Sequence, residues 1–151
     1  YRRGLYTTWR RSNPYPSMSA FDAPNRDVCT LRRVRTNTPL QALVTLNDPV
    51  YIEAAQALGR NMFKASDSDA ARMEFGLQAA LCRPVQAQEI EVLLKLHEKA
   101  LAIFKTQPEA AKKMATEPLG ALPEGLDMAQ MAAWTVVANA ILNLDEFLMR
   151  R

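Results

Sequence analysis

The sequence predicts an all-α protein, an irregular bundle of about five helices preceded by an extended arm rich in proline and arginine. Three observations predict it. Beyond position 38, apolar residues recur at three- and four-residue steps, the repeat of a single helix face. Capping residues and prolines stand together where several of those runs begin. The first 37 residues instead mix prolines, small polar residues and arginines without a sustained period. The reading is one domain in total, with an arm over residues 1–37 and a helical part over residues 38–151.

In the arm, Leu5–Arg11 is expected to form one short helix. Ser12–Ser19 holds Pro14 and Pro16 among small polar residues and is expected to be free of helix. From Cys29 to Arg35 apolar and basic residues alternate. Leu31 and Val34 stand three apart, so a helical turn competes there with a strand.

Helix grammar begins at Thr38-Pro39-Leu40-Gln41, where Thr can cap, Pro suits the first turn and Gln occupies the capping-box position. That helix should end near Leu46. Asp48-Pro49 repeats the device and should open a helix to about Lys64, burying Ala54, Ala55, Leu58 and Met62 on one face. Ser66-Asp67-Ser68-Asp69 is a polar break. A helix over Ala70–Cys82 follows, with Met73, Leu77 and Leu81 inward, stopped by Arg83-Pro84.

Gln86 to Glu89 can start a long helix carrying Ile90, Leu93, Leu94, Leu96, His97, Leu101 and Phe104. Pro108 should restart the chain into a short helix over Glu109–Ala115. Glu117–Gly125 is a loop dense in proline and glycine. The last long helix starts near Asp127. Its Met131, Trp134, Val137, Ala138, Ile141 and Leu142, with small residues between them, mark it as central to the core. Asn143-Leu144-Asp145 should bend the chain before Phe147 and Leu148.

At 151 residues, 48% apolar and 23% charged, the chain can bury a hydrophobic core and is not of disordered composition. No apolar run approaches the roughly 20 residues that span a bilayer. The chain opens Tyr1-Arg2-Arg3-Gly4-Leu5-Tyr6, without an initiator Met or an apolar signal core, and so is expected to be a piece of a longer protein. Its two cysteines, Cys29 and Cys82, match no zinc, redox or haem-attachment spacing, and admit either a single disulfide or two unrelated thiols.

The formal charge of +3 conceals an asymmetry. Residues 1–35 hold eight arginines against Asp22 and Asp27, a net +6, which leaves −3 for the rest. An all-arginine arm can bind an anion, or its guanidinium groups can fork onto carboxylates and helix-end carbonyls. Arginine without lysine suits the second use better, and nucleic acid is the less favoured partner.

The sequence offers little for catalysis. His97 is the single histidine, set mid-helix between apolar neighbours, and reads as a partly buried helix residue. Asp67 and Asp69 lack the glycine and ligand spacing of a calcium loop. No glycine-rich phosphate cradle and no nucleophile elbow occurs. No catalytic residue, metal ligand or cofactor is therefore assigned to this chain.

One cluster stands out: Asp22, Arg26, Arg32, Arg33, Arg35, Asn37, Thr38, Asn47 and Asp48. It places arginines, amides and carboxylates beside two proline-started helices. Helix N-termini attract anions, so a functional reading is a pocket for a carboxylate or sulfate at the Thr38 and Asp48 starts. The structural alternative is a buried polar network, with Asp22 or Asp48 pairing Arg32 or Arg35, that pins the arm to the bundle.

The same residues carry a resemblance. Arg3–Arg11, Phe21-Asp22-Ala23-Pro24, Arg33–Gln41, Leu46-Asn47-Asp48-Pro49 and the tail Ala133-Trp134 with Asn143–Phe147 resemble the planctomycete-type, cytochrome-c-associated domain of unknown function. The resemblance runs through most of the chain and is weakest between about Phe63 and Leu126. It implies the C-terminal end of a large exported protein, at the periplasm or cell surface, with a c-type haem carried elsewhere in that parent. It implies no catalytic residues. At position 82, where the family pattern leads us to expect glycine before Arg83-Pro84, this chain has Cys82, which weakens a shared Cys29–Cys82 disulfide.

Three functions follow as expectations. The leading one is a non-catalytic module docking on upstream domains of its own parent. The others are binding of an anionic, acidic or sulfated saccharide at the arginines, and a share in an enzyme site completed upstream.

Overall fold

Proline sets the phase of this chain. Pro16, Pro39, Pro49 and Pro108 each open a helix, where the fixed φ is already helical and the missing N–H costs nothing. The computed structural model describes residues 4–10, 12–32, 36–123 and 125–149. Gly4–Tyr6 is a 3₁₀ turn, followed by α1 (Pro16–Ala20), α2 (Pro39–Asn47), α3 (Pro49–Ala65), α4 (Asp69–Leu81), α5 (Ala87–Thr106), α6 (Pro108–Thr116), α7 (Met128–Leu142) and α8 (Asp145–Leu148). The described residues contain no strand, only an isolated bridge between Arg10 and Asn13. The protein is all-α.

The chain divides into two compact units, Tyr1–Val44 and Thr45–Arg151, with the division falling inside α2. In the first unit the helix expected at Leu5–Arg11 is cut to the 3₁₀ turn, closed by Thr7 N–H donating to Gly4 O at 3.0 Å. The β-branched pair Thr7-Thr8 follows it, a poor continuation for a helix. Conversely, the stretch expected to be free of helix contains α1. Pro16 stands at its first position, so the residue that argued against a helix starts one.

In the second unit α7 is the axis. It packs on α3, α4, α5, α6 and α8. Met131, Ala132, Ala133, Trp134, Thr135, Val137, Ala138, Asn139 and Ile141 are all buried, so the helix is covered all round, as its lack of any charged residue requires. Around it α3 to α6 form the bundle. The core joins Ala55, Met62, Met73, Leu77 and Leu93 to Trp134, Val137 and Ile141 of α7.

The buried face of α3 departs from the expectation at one residue: Ala54 is exposed, whereas Ala55 and Met62 are buried and Leu58 packs half-buried against the core, as expected. Gln56 and Gly59 also point inward. A Cβ at Gly59 would lie 3.1 Å from the carbonyl oxygen of Trp134, so only glycine lets α3 and α7 approach this closely without displacement. Gln56 is fully buried and satisfied. Its amide donates to Met114 O at 2.8 Å and Glu117 O at 2.7 Å, and its oxygen accepts from Leu119 N–H at 3.0 Å. Arg60, one turn on, donates to Ala115 O at 3.2 Å and Gly120 O at 2.6 Å. Together they hold the carbonyl end of α6.

The end of α4 explains the residue noted at position 82. The helix stops at Leu81, one residue earlier than the sequence suggests. Cys82 takes a left-handed conformation, φ 54°, and donates its N–H to Gln78 O at 2.9 Å. Left-handed helix ends favour glycine, because any Cβ crowds the following carbonyl. Cys82→Gly should therefore raise stability by about 0.5–1 kcal/mol, read as a higher urea midpoint at unchanged slope.

Candidate functional site

The polar cluster resolves into separate pieces of work. In the first unit Asp22 follows α1 in a left-handed conformation, φ 58°. Its carboxylate accepts from the N–H and the hydroxyl of Thr36, both at 2.8 Å. Gln41, 2% exposed, is the hub. Its amide nitrogen donates to Ala20 O at 2.9 Å and Thr36 Oγ1 at 3.1 Å, and approaches Asp22 at 3.4 Å. Its oxygen accepts from Thr38 N–H at 3.2 Å, while its own N–H donates to Thr38 Oγ1 at 3.3 Å. That reciprocal pair is the capping box read at Thr38-Pro39-Leu40-Gln41. The sequence marked Gln41 as a cap; its second role, tying α1 to the Thr36 segment, was signalled only by an amide with hydrogens to spare.

Arg26 is also left-handed, φ 62°, with its guanidinium 5.5 Å from the Trp9 ring centroid. Arg32 and Asn37 are exposed, and Arg33 and Arg35 lie outside the described residues. In the second unit Asn47 ends α2, and Asp48 caps α3 by accepting from Val50 N–H at 2.9 Å. At both proline-started helices, then, cap side chains already engage first-turn N–H groups that an anion would seek.

A second cluster escaped the sequence reading. Arg83 uses every one of its N–H donors. It grips Glu89 at 2.6 and 3.1 Å and Glu146 at 2.7 and 2.9 Å, each through two bonds, and donates to Pro84 O at 2.9 Å. Glu89 also accepts from Gln86 N–H at 2.8 Å, completing the capping box of α5. The Arg83 hydrogen bonds, with that backbone bond, hold the Glu89 carboxyl down at about 2. In turn Glu89 and then Glu146 push Arg83 above its ordinary value. These side chains line a groove of about 620 Å³ with Leu81 and Met149. With its guanidinium fully engaged, the groove is a rivet joining the end of α4, the start of α5 and α8. No single segment reveals it, because Arg83 and Glu146 stand 63 residues apart.

Cys29 and Cys82 are free, exposed thiols. Among the described residues no three His, Cys, Asp or Glu side chains are grouped to hold a metal ion, and no helix is long and apolar enough to cross a membrane.

Fold and cluster together define an all-α protein whose polar side chains are largely spent on caps and clamps inside its own units. The chain belongs to the PSD1 family, protein of unknown function (DUF1553), whose family model matches residues 1–97. That match takes in the Asp22, Thr38 and Asp48 motifs and ends in α5, short of α7. No curated protein and no solved structure was found to match the chain.

Proposed function

We propose that this chain is a non-catalytic docking module, and that α2 seats against another part of its own parent protein. The observation that carries the reading is that α2 is turned inside out. Its polar residues Gln41 and Thr45 are 2% exposed each, while Leu40, Leu43 and Leu46 are 58%, 58% and 44% exposed. Those leucines recur every three residues and so share a face. Polar residues inside and leucines outside reverse the usual order of a surface helix. Leu46 also lines an open, mostly apolar groove of about 710 Å³ with Ile52, Phe104 and Met114.

Magnitude selects the occupant. Covering three half-exposed leucines contributes about 3 kcal/mol. A separate protein must first overcome roughly 4–15 kcal/mol of lost translational and rotational freedom. A segment of the same polypeptide does not meet that cost, because tethering holds it at millimolar effective concentration. The face suits a linked domain with an apolar surface.

Hydrogen exchange on α2, in this chain alone and in the parent protein, tests the proposal. The α2 amides should exchange at least tenfold more slowly in the parent. Leu43→Asp should abolish that difference while leaving the helical circular dichroism of the isolated chain unchanged. Equal exchange in the two settings would end the docking reading.

A further inference from the structure

We propose that His97 makes the junction of α4, α5 and α7 an acid-triggered latch, closed while its imidazole is neutral and released when the ring is protonated. The inference rests on the core of the second unit and is independent of α2. His97 sits on α5, 5% exposed, with its ring centroid 4.5 Å from that of the fully buried Trp134 on α7. Its Nε2 has no hydrogen-bond partner among the described residues. Trp134 is also close to a cation, the Arg72 guanidinium of α4, which lies 5.6 Å from its centroid and 4.1 Å from that of Phe63.

That guanidinium is committed. Arg72 donates to Phe63 O at 3.2 Å, Ser66 O at 2.6 Å and Asp69 at 2.8 Å, so it cannot swing away without uncapping α3. Protonating His97 would bring a second cation to the Trp134 ring and leave an N–H at Nε2 that has no acceptor among the described residues. The charges bearing on the imidazole are Asp69 and Arg72 from α4 and Glu98 from α5. The α7 helix brings no titratable side chain, and Glu109, Lys112 and Lys113 of α6 are exposed. Burial, reinforced by Arg72, outweighs the opposing pull of Asp69 and Glu98 and holds His97 below its ordinary value of 6.5.

The direction of the pH effect follows. An unfolded or opened chain takes up the His97 proton near pH 6.5, whereas the closed core takes it up only at lower pH. Between those points the open form binds more protons, so closure is favoured at neutral pH and lost as pH falls. Protonation cannot be accommodated by a small shift, since Trp134 is held between α3, α4 and α5. The expected response is separation of α5 from α7.

His97 is the single histidine of the chain, so its imidazole proton signals are unambiguous in an NMR titration. They should titrate below 6.5 in the intact chain. In a Trp9→Phe background, Trp134 emission should change over the same interval, reversibly on return to neutral pH. His97→Gln should lose that step. A histidine titrating near 6.5 with Trp134 emission unmoved would overturn the proposal. So would a Trp134 step of unchanged midpoint in His97→Gln. Should that variant fail to fold, coincidence of the two wild-type curves supports the latch, and their separation overturns it.

Discussion

Trp134→Ala should cost about 3–5 kcal/mol, enough to leave a domain of ordinary stability largely unfolded at room temperature. Trp134 is fully buried on the axial helix, meets the His97 ring at a tilt of 41° and lies near the Arg72 guanidinium, so truncation opens a cavity between helices. Collapse cannot refill it, because Gly59 already brings the α3 backbone against Trp134. Trp134→Phe is the informative companion. The indole N–H has no partner among the described residues, so phenylalanine removes an unsatisfied donor along with some volume. Its cost should stay near 1 kcal/mol. Urea unfolding followed by circular dichroism separates the two, and equal losses would show that the volume phenylalanine retains contributes nothing there, against the cavity argument.

Gln56→Leu should be nearly as damaging despite its matched size, at about 2–4 kcal/mol. The substitution strands two carbonyls at the end of α6 and the N–H of Leu119. An apolar side chain satisfies none of them. The damage should begin locally: a protease should cut between Glu117 and Gly125 at denaturant concentrations where the wild-type loop resists. Gln56→Glu would restore the acceptor for Leu119 but set a carboxylate against two carbonyls, and should be no better.

The fold was legible wherever local chemistry decides it. Thr38, Asp48, Gln86 and Asp127 announce helix starts through side chains that reach only two or three residues, and each start is found within a residue or two. The apolar, alanine-rich run before Asn143 identified α7 as central for a similar reason: a helix without charge has no face to give to water.

What the sequence hid depends on pairing across distance. Nothing near Gln56 indicates that its amide serves a loop some 60 residues away. Arg83 reads as a helix stop until Glu146 is brought to it. Gly59 was passed over in α3, because its significance appears only with α7 alongside. The candidate arginines were the least legible part. Their residue type suggested a ligand, while the cap chemistry around them was written into the threonine, glutamine and aspartate beside them.

The position of α7 in the chain also bears on how the protein is made. Helices α3 to α6 are synthesised first, and each turns an apolar face toward a partner that begins only at Met128. Until that helix leaves the ribosome, the second unit has secondary structure but no centre. At about 5–20 residues per second, the span from the end of α4 to the end of α7 leaves those faces uncovered for several seconds. Slower elongation through residues 87–127 should therefore lengthen the exposure of those faces to aggregation.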